Sequence, residues 1–534
     1  MNQITPPPKL EIIPSSAPFT EAQRSWLNGF LAGLLTNDGP AALPAEQGAA
    51  ILQGAAGDGD DGEAPWHDQT MAMAERMKLA AGRPLRRRMM AAMAQQDCGQ
   101  CGYNCHDYSE VIASKSEARL NLCVPGGKET ARMLKSLYEE LDKAPAAASA
   151  TAVPAVTVTT TITEPGRCRD NPIAATFVSR RLLNKKGSEK ETWHIDFDLA
   201  GCGLDYVVGD SFGIFARNDL GLVDQIIALL GASHTTAVRG KTLREVLIEE
   251  VSLAPAPDTL FELISYLTGG AQREKARALA QGEDPDGDAA NLDVMAGLLK
   301  FSGIRPHPEA FVEALEPLQP RLYSISSSHN ATPGKLSLTV DCVRYVVGKR
   351  KRLGLASTFL AERVNPGDEV KVYVQKAHGF ALPQDPKTPI IMIGPGTGIA
   401  PFRAFLLDRK ATGAQGKNWL FFGHQRSDCD FFYADELNAM KTSGLLTRLS
   451  LAWSRDGEKK FYVQDRMREV GREVWTWLAE GANVYICGDA KRMAKDVERA
   501  MVDIVAQFGA RSTDEAISFV AELKKKGRFQ QDVY

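Results

Sequence analysis

The chain has 534 residues, of which 44% are hydrophobic and 24% charged, and its formal net charge is −3. That is an ordinary globular balance with length for roughly three to four domains, and it excludes wholesale disorder; near-neutral charge gives no support to a nucleic-acid or membrane-surface role. There is no run of about 18 apolar residues, so no transmembrane helix is expected.

The first residues, MNQITPPPKLEIIP, lack the basic and apolar regions of a secretory signal. Four of the nine cysteines fall between Cys98 and Cys123 and the rest are scattered. This placement argues against a disulfide scaffold and for a local cysteine site in a reducing, cytoplasmic compartment.

In chain order, residues 1–20 are Pro-rich and expected to be extended. Phe19 to Leu35 has the period of an amphipathic helix, with Thr20 as cap and Trp26, Phe30, Leu31 and Leu34 on one face. Residues 37–65 read as a Gly-, Ala- and Asp-rich linker. Met71 to Met93 is helical in period, its Met residues core filler or a docking face, and Arg86-Arg87-Arg88 reads as a solvated face. The Trp26 helix and this Met-rich segment are candidate docking elements, because no core of their own is evident. The cysteine cluster at 97–127 precedes an amphipathic helix, Lys128 to Lys143, and a low-charge tether at 144–163.

From about residue 172 the pattern turns to strands (ATFVSRRLL, ETWHIDFDL, SFGIFARN), interrupted by a mostly helical stretch at 219–317. From Pro389, apolar strands alternate with helices, the βαβ signature of a parallel sheet.

The cysteine spacing is C-x2-C-x3-C-x17-C, from Cys98, Cys101, Cys105 and Cys123. Three close thiolates and a distant fourth suit a cubane 4Fe–4S cluster, whose irons need ligands from several directions. Gly99 and Gly102 allow tight turns, and Pro125-Gly126-Gly127 closes the loop. Structural zinc is the rival ligand reading; it favours two C-x2-C pairs or Cys/His pairs, and here there is one such pair with His106 poorly placed. Free thiols are the third. The segment resembles the small four-cysteine 4Fe–4S module of Rnf-type electron-transfer complexes. It shares their Cys-x-Pro-Gly-Gly ending, with one residue fewer between the second and third cysteines.

Arg321-Leu322-Tyr323-Ser324 opens a strand. Its Arg can grip a pyrophosphate bidentately, its Tyr lies on the same face and can cover an isoalloxazine ring, and Ser324 can bond near flavin N5. Gly354-Leu355-Ala356-Ser357 opens a helix as an anion-binding loop. IMIGPGTGIAP sits strand–turn–helix, with Gly396 and Thr397 in the turn and Pro401 in the first helical turn. Ser454 and Arg455 end a strand, and Lys460 and Tyr462 follow. Two cations and two hydroxyls suit a ribose 2′-phosphate, which favours NADPH over NADH.

Together, RLYSISSS, RYVVG, GLAST, IMIGPGTGIAPFRAF, AWSRD, FYVQD, YICGDAKRMAKDVE and the terminal QDVY make the stretch from about 165 to 534 resemble the reductase half of the diflavin family. Within it the match is to the flavoprotein subunits of NADPH-dependent sulfite reductase. The resemblance implies an antiparallel FAD-binding β-barrel (164–218 and 318–385) with a helical connecting insertion (219–317), and a parallel α/β NADP-binding domain (386–534). Ahead of these, residues 1–95 are expected as a helical region with linker and 96–143 as a small helical 4Fe–4S module. The fold class is therefore multidomain, α+β and α/β. The resemblance also implies FAD contacts from Arg321, Leu322, Tyr323, Ser324, Thr339, Asp341, Tyr345, Gly354, Leu355, Ala356 and Ser357. It implies nucleotide contacts from Gly396, Thr397, Ser454, Arg455, Lys460, Tyr462, Gln464 and Asp496. Ser324, Cys487 and Asp532 match the polar trio around the nicotinamide, and Tyr534 the terminal aromatic that covers the flavin and swings aside.

Diflavin reductases carry an FMN domain ahead of this half. The residues preceding the tether show no parallel α/β pattern and no phosphate loop, so an FMN domain is expected to be absent and the cysteine module to stand in its place. The expected path is NADPH to FAD to the 4Fe–4S cluster to an external acceptor. The resemblance makes that acceptor a sulfite reductase haemoprotein. A nitrite reductase, a ferredoxin or another redox partner is the alternative, as is a zinc-stabilised docking module on a reductase of small acceptors. An oligomer is compatible with all of these.

Overall fold

The computed structural model describes residues 64–143, 164–377 and 379–534. The expectations for the Pro-rich start, the Trp26 helix, the Gly/Asp linker up to residue 63 and the 144–163 tether lie outside the described residues. Among the described residues, no helix is long and apolar enough to cross a membrane.

The Met-rich segment forms two helices, α1 (Met73–Leu79) and α2 (Leu85–Ala92), where one was expected. Gly82, at φ +78°, and Pro84 before the second helix break the run. Met89, Met90 and Met93 are buried with Cys105, Tyr108, Ile112, Leu122, Leu134 and Leu137. This corrects the expectation that the segment lacks a core: its methionines fill one with the cysteine loop, and residues 64–95 pack with 96–143 without a break. The basic run is corrected too. Arg87 is buried, with its guanidinium 5.5 Å from the Trp66 ring centroid, while Arg86 pairs with Glu110 and Arg88 with Glu140. Helix α3 (Cys105–Ala113) begins where the Asn104 side chain accepts from the Asp107 amide at 2.7 Å. Helix α4 (Gly127–Lys143) follows the fourth cysteine.

Strands β1 (Ile173–Leu182), β2 (Thr192–Asp198), β3 (Ser211–Ile214), β4 (Arg321–Ser324), β5 (Lys335–Asp341) and β6 (Glu369–Gln375) form a six-stranded antiparallel sheet in the order β4-β3-β6-β1-β2-β5. Its edge strands approach each other at one bridge, Ile325 to Leu338. Phe177, Phe197, Phe212 and Leu338 fill its inner face. The helices between Leu220 and Glu313 surround a separate core of Val223, Ile227, Leu247, Phe261 and Phe301.

Strands β7 (Ile390–Ile393), β8 (Asn418–His424), β9 (Arg448–Trp453), β10 (Asn483–Gly488) and β11 (Phe529–Val533) form a parallel sheet in the order β9-β8-β7-β10-β11. β7 and β8 read as near-continuous apolar runs because both faces are covered. The chain leaves β7 toward β8 on one side and returns to β10 on the other. The crevice at the C-terminal end of β7 is thus a topological switch point, where open α/β sheets take their ligands.

Candidate flavin, nucleotide and cysteine sites

A cavity of about 610 Å3 is lined by Arg321, Tyr323, Tyr345, Gly354, Ser357 and Arg363, among others. Arg321 is half-buried and touches only the carbonyls of Gln319 and Pro320, at 3.2 and 3.3 Å. Among the described residues no carboxylate pairs with it, and burial holds its pKa below the usual guanidinium value. Such a cation can take an anionic group. Gly354 opens a single α-helical turn, Leu355–Thr358. A Cβ there would lie 2.6 Å from Ser357 Oγ and 2.8 Å from Val343 Cβ, so close packing requires glycine. The Val343 amide donates to Ser357 Oγ at 3.1 Å, fixing the turn. Arg363, not anticipated from the sequence, is a further cation of this cavity, beside Arg321, Arg350, Lys351 and Arg352. Its Nη2 donates to Leu355 O at 2.8 Å, while its Nε is buried without a partner among the described residues.

A second cavity of about 820 Å3 is lined by Tyr323, Ser324, Thr339, Thr397, Asp532 and Tyr534. Ser324 Oγ donates to Asp532 Oδ2 at 2.6 Å, and the buried Cys487 thiol to the same oxygen at 3.7 Å. The parallel register pairs Cys487 with Asp532 directly, which is how the trio assembles. Burial raises the Asp532 carboxyl above the usual carboxylate value, against the opposing hydrogen bonds from Ser324 and Cys487. Burial, with Asp532 beside it, pushes the Cys487 thiol well up, so it stays protonated at neutral pH. Tyr534, 57% exposed as a residue, has its hydroxyl 2.8 Å from Thr397 Oγ1. Thr339 lines this cavity but also meets the Tyr433 hydroxyl at 2.7 Å. Asp341 lines both cavities and accepts from Lys190 and Thr192 at 3.3 and 3.2 Å.

The glycine turn after β7 is packed backbone to backbone. A Cβ on Gly398 would lie 2.1 Å from Cys487 O, and one on Gly394 would lie 2.4 Å from Gly398 O. Gly396 has φ +60°, and α5 (Ala400–Ala411) starts from this turn. Ser454 donates to His424 O at 3.2 Å, and Arg455 pairs with Glu189 at 2.5 Å. Arg455, Lys460 and Tyr462 are exposed beyond the end of β9, and Gln464 and Asp496 are half-buried. Asp496 lies in the first turn of α6 (Met493–Phe508). None of these residues lines either cavity.

Cys98, Cys101, Cys105 and Cys123 line a single small cavity with Met93, Tyr103 and Tyr108. Gly99 and Gly102 take φ of +68° and +94°, as the tight turns require. The backbone of Gln100 hydrogen-bonds Cys98, and the Cys101 thiol donates to Tyr103 O at 3.2 Å. A Cβ on Gly126 would lie 3.0 Å from Cys123 Sγ. Burial pushes Cys98 up to about 12 and Cys101 to about 11, and raises Cys105 and Cys123 too, so all four are protonated until a cation replaces the protons. Among the described residues, no three His, Cys, Asp or Glu side chains are grouped to hold a single metal ion.

No sequence pattern indicates that this module is docked on the second cavity. Cys98, Asp97, Gln100 and Gly126 line the second cavity together with Ser324 and Tyr534. Gln100 Nε2 donates to Pro320 O at 2.7 Å. Arg169 bridges Gln100 O at 2.9 Å and Gln319 Oε1 at 2.6 Å. Gln69 Nε2 donates to Gln531 Oε1 at 2.9 Å, and Arg132 Nε pairs with Asp258 at 2.8 Å.

Residues 166–301 match the FAD binding domain, and residues 392–499 the oxidoreductase NAD-binding domain. The sulfite reductase (NADPH) flavoprotein alpha-component of Photorhabdus laumondii is 43% identical over 367 residues, 68% of this chain and 61% of that protein. Its counterpart in Klebsiella pneumoniae is 40% identical over 436 residues, 80% of this chain and 71% of that protein. An Escherichia coli counterpart is 42% identical over 402 residues, 73% of this chain and 65% of that protein. The chain therefore spans about three fifths to seven tenths of the length of these relatives. It belongs to the family of the sulfite reductase (NADPH) flavoprotein alpha-components, with an FAD-binding and an NAD-binding oxidoreductase domain.

Proposed function

We propose that the chain is an NADPH-dependent reductase whose electrons pass from FAD to a 4Fe–4S cluster on Cys98, Cys101, Cys105 and Cys123, and then to a sulfite reductase haemoprotein. The observation that carries this reading is the shared cavity: the Cys98 loop stands against the same space as Tyr323, Ser324, Asp532 and Tyr534. FAD supplies the conversion from a two-electron hydride to single electrons that a cluster can carry.

The chemistry of these residues supports this reading. Arg321 meets the pyrophosphate charge, the Gly354 turn lets it approach, and Tyr323 covers the ring. The turn at Gly396 and Thr397 takes the nucleotide pyrophosphate, with Gly398 keeping it against β10. Arg455 and Lys460, with Ser454 and Tyr462, offer the charge and donors a 2′-phosphate needs. Asp532, held by Ser324 and Cys487, places a carboxylate where positive charge develops on nicotinamide. The four thiols ring a cavity, the donor set of an iron–sulfur cluster. A lone zinc ion would hold each sulfur at about 2.3 Å.

Iron and acid-labile sulfide content, with an EPR spectrum of anaerobic protein before and after NADPH, tests the cluster. The expected result is about four irons per chain and a signal that appears on reduction. Cys98→Ser and Cys123→Ser should keep NADPH reduction of the flavin and lose reduction of the haemoprotein. Undiminished haemoprotein reduction in either variant sinks the path.

A further inference from the structure

Gln69 and Gln531 are 462 positions apart, yet their side-chain amides meet at 2.9 Å. Gln69 precedes α1 in the cysteine module, and Gln531 lies on β11, one residue before Asp532 and three before Tyr534. Both line the second cavity. Gln69 donates to Gln531 Oε1, and this fixes which edge of the Gln531 amide is turned away. That edge, Nε2, is buried and has no partner among the described residues. A buried amide donor without an acceptor is unfavourable, so its site is built for a ligand acceptor or is destabilised without one.

From this arrangement we propose that the cysteine module is a working part of the hydride-transfer site. Gln69 is a positioning residue that holds Gln531 so that its Nε2 donates to the carboxamide oxygen of nicotinamide. The nucleotide is favoured over the flavin as acceptor because Gln531 belongs to the parallel sheet, on the strand that carries Asp532 and Tyr534, and not to the flavin-bearing sheet. The module then does two things at once: its Cys98 loop faces the cavity as an electron exit, and its Gln69 orients the electron entrance. The proposal rests on the cavity taking FAD and NADPH, as argued above. It does not require the cysteines to hold a cluster.

The test uses the full chain with bound FAD, and its readouts precede any acceptor. These are NADP+ affinity, from the perturbation of the flavin spectrum, and the single-turnover rate of flavin bleaching by NADPH. In Gln69→Ala the expected changes are about fivefold weaker NADP+ binding and about tenfold slower bleaching, in line with the loss of one oriented hydrogen bond. Gln69→Glu is close in shape but turns the donor into an acceptor. Gln531 must then rotate its Nε2 toward residue 69, and the same losses are expected with FAD content and Tm at their wild-type values. Lys135→Ala, at an exposed position on α4 of the same module, should leave both readouts unchanged, which separates the Gln69 contact from a general disturbance of the module. Wild-type NADP+ affinity and bleaching rate in both Gln69 variants would overturn the proposal. So would a changed flavin reduction potential in nucleotide-free protein with NADP+ affinity unmoved, since the amide would then serve the flavin.

Discussion

Ser324 and Asp532 meet across the junction of the two sheets, the hydroxyl on β4 donating to the carboxylate on β11 at 2.6 Å. Burial raises the Asp532 carboxyl above its ordinary 3.8, and the Ser324 bond opposes that rise. In the proposed hydride transfer Asp532 acts as an anion, so the charge it would supply is lost as pH falls through a value higher than an exposed aspartate would show. Ser324→Ala removes a bond that favours the ionised form, so the acid limb of NADPH-driven flavin reduction moves toward neutrality. Asp532→Asn abolishes that limb and slows reduction by about 100-fold. A stopped-flow pH profile of the three proteins checks this; an unmoved limb in Ser324→Ala contradicts it.

The same residue has a signature in stability. Its folded pKa is raised, so its contribution is complete below the unfolded value and is lost as pH rises through the folded one. Asp532→Asn removes that loss. Its Tm at pH 7 should therefore equal or exceed that of the wild type while transfer is slowed, and a lower Tm would mean the carboxylate is structural.

The glycine turn after β7 makes a sharper demand. A Cβ on Gly398 would lie 2.1 Å from Cys487 O, and a backbone atom cannot give way as a flexible side chain can. Gly398→Ala should abolish NADP+ binding and lower Tm by several degrees, in the range one to two kcal/mol gives for a domain of about 150 residues. Gly201→Ala, where a Cβ meets nothing within 4 Å, is the control and should leave both unchanged.

These two sites differ in how they could be read beforehand. The glycine turn lies within eleven consecutive residues with an apolar strand before and a helix after, so local pattern was enough. The cysteine loop was legible for the same reason, its ligands being set by spacing. The extent of the module was not legible, because Met residues suit a core or a docking face equally and only packing shows that Met89 and Met93 surround Tyr108 and Cys105. The module's seat was further hidden. Gln100 bonds Pro320 and Gln69 bonds Gln531 across hundreds of residues, and uncharged amides carry no period or charge pattern to reveal such pairs.

Tyr534 is tied by its backbone amide to Gly488 O at 3.0 Å and by its hydroxyl to Thr397, yet the residue is more than half exposed. In the proposed function this ring would leave before nicotinamide could lie over the flavin. Tyr534→Ala removes the cost of that displacement, so NADP+ should bind about tenfold tighter and product release should slow, if the ring and its single hydroxyl bond are worth roughly 1–2 kcal/mol. Titration of the flavin spectrum with NADP+ reads the first, and steady-state kcat the second. Weaker binding would show that the ring supports the nucleotide instead of competing with it.

Arg321 gives the cleanest test of the proposed flavin cavity, because among the described residues no carboxylate pairs with it. Its contacts are the carbonyls of Gln319 and Pro320, at 3.2 and 3.3 Å, and its burial is unfavourable until an anion arrives. Arg321→Ala should therefore leave apoprotein Tm unchanged or raised, and weaken FAD by about 10- to 100-fold, the range for a charge-assisted hydrogen bond. Arg321→Lys keeps the charge but loses the planar fork that grips two phosphate oxygens, so it should recover only part of the affinity. Flavin retained after gel filtration, and FAD titrated back by fluorescence quenching, measure both. Full FAD retention in Arg321→Ala would move the pyrophosphate from this cation to Arg363, which lines the same cavity.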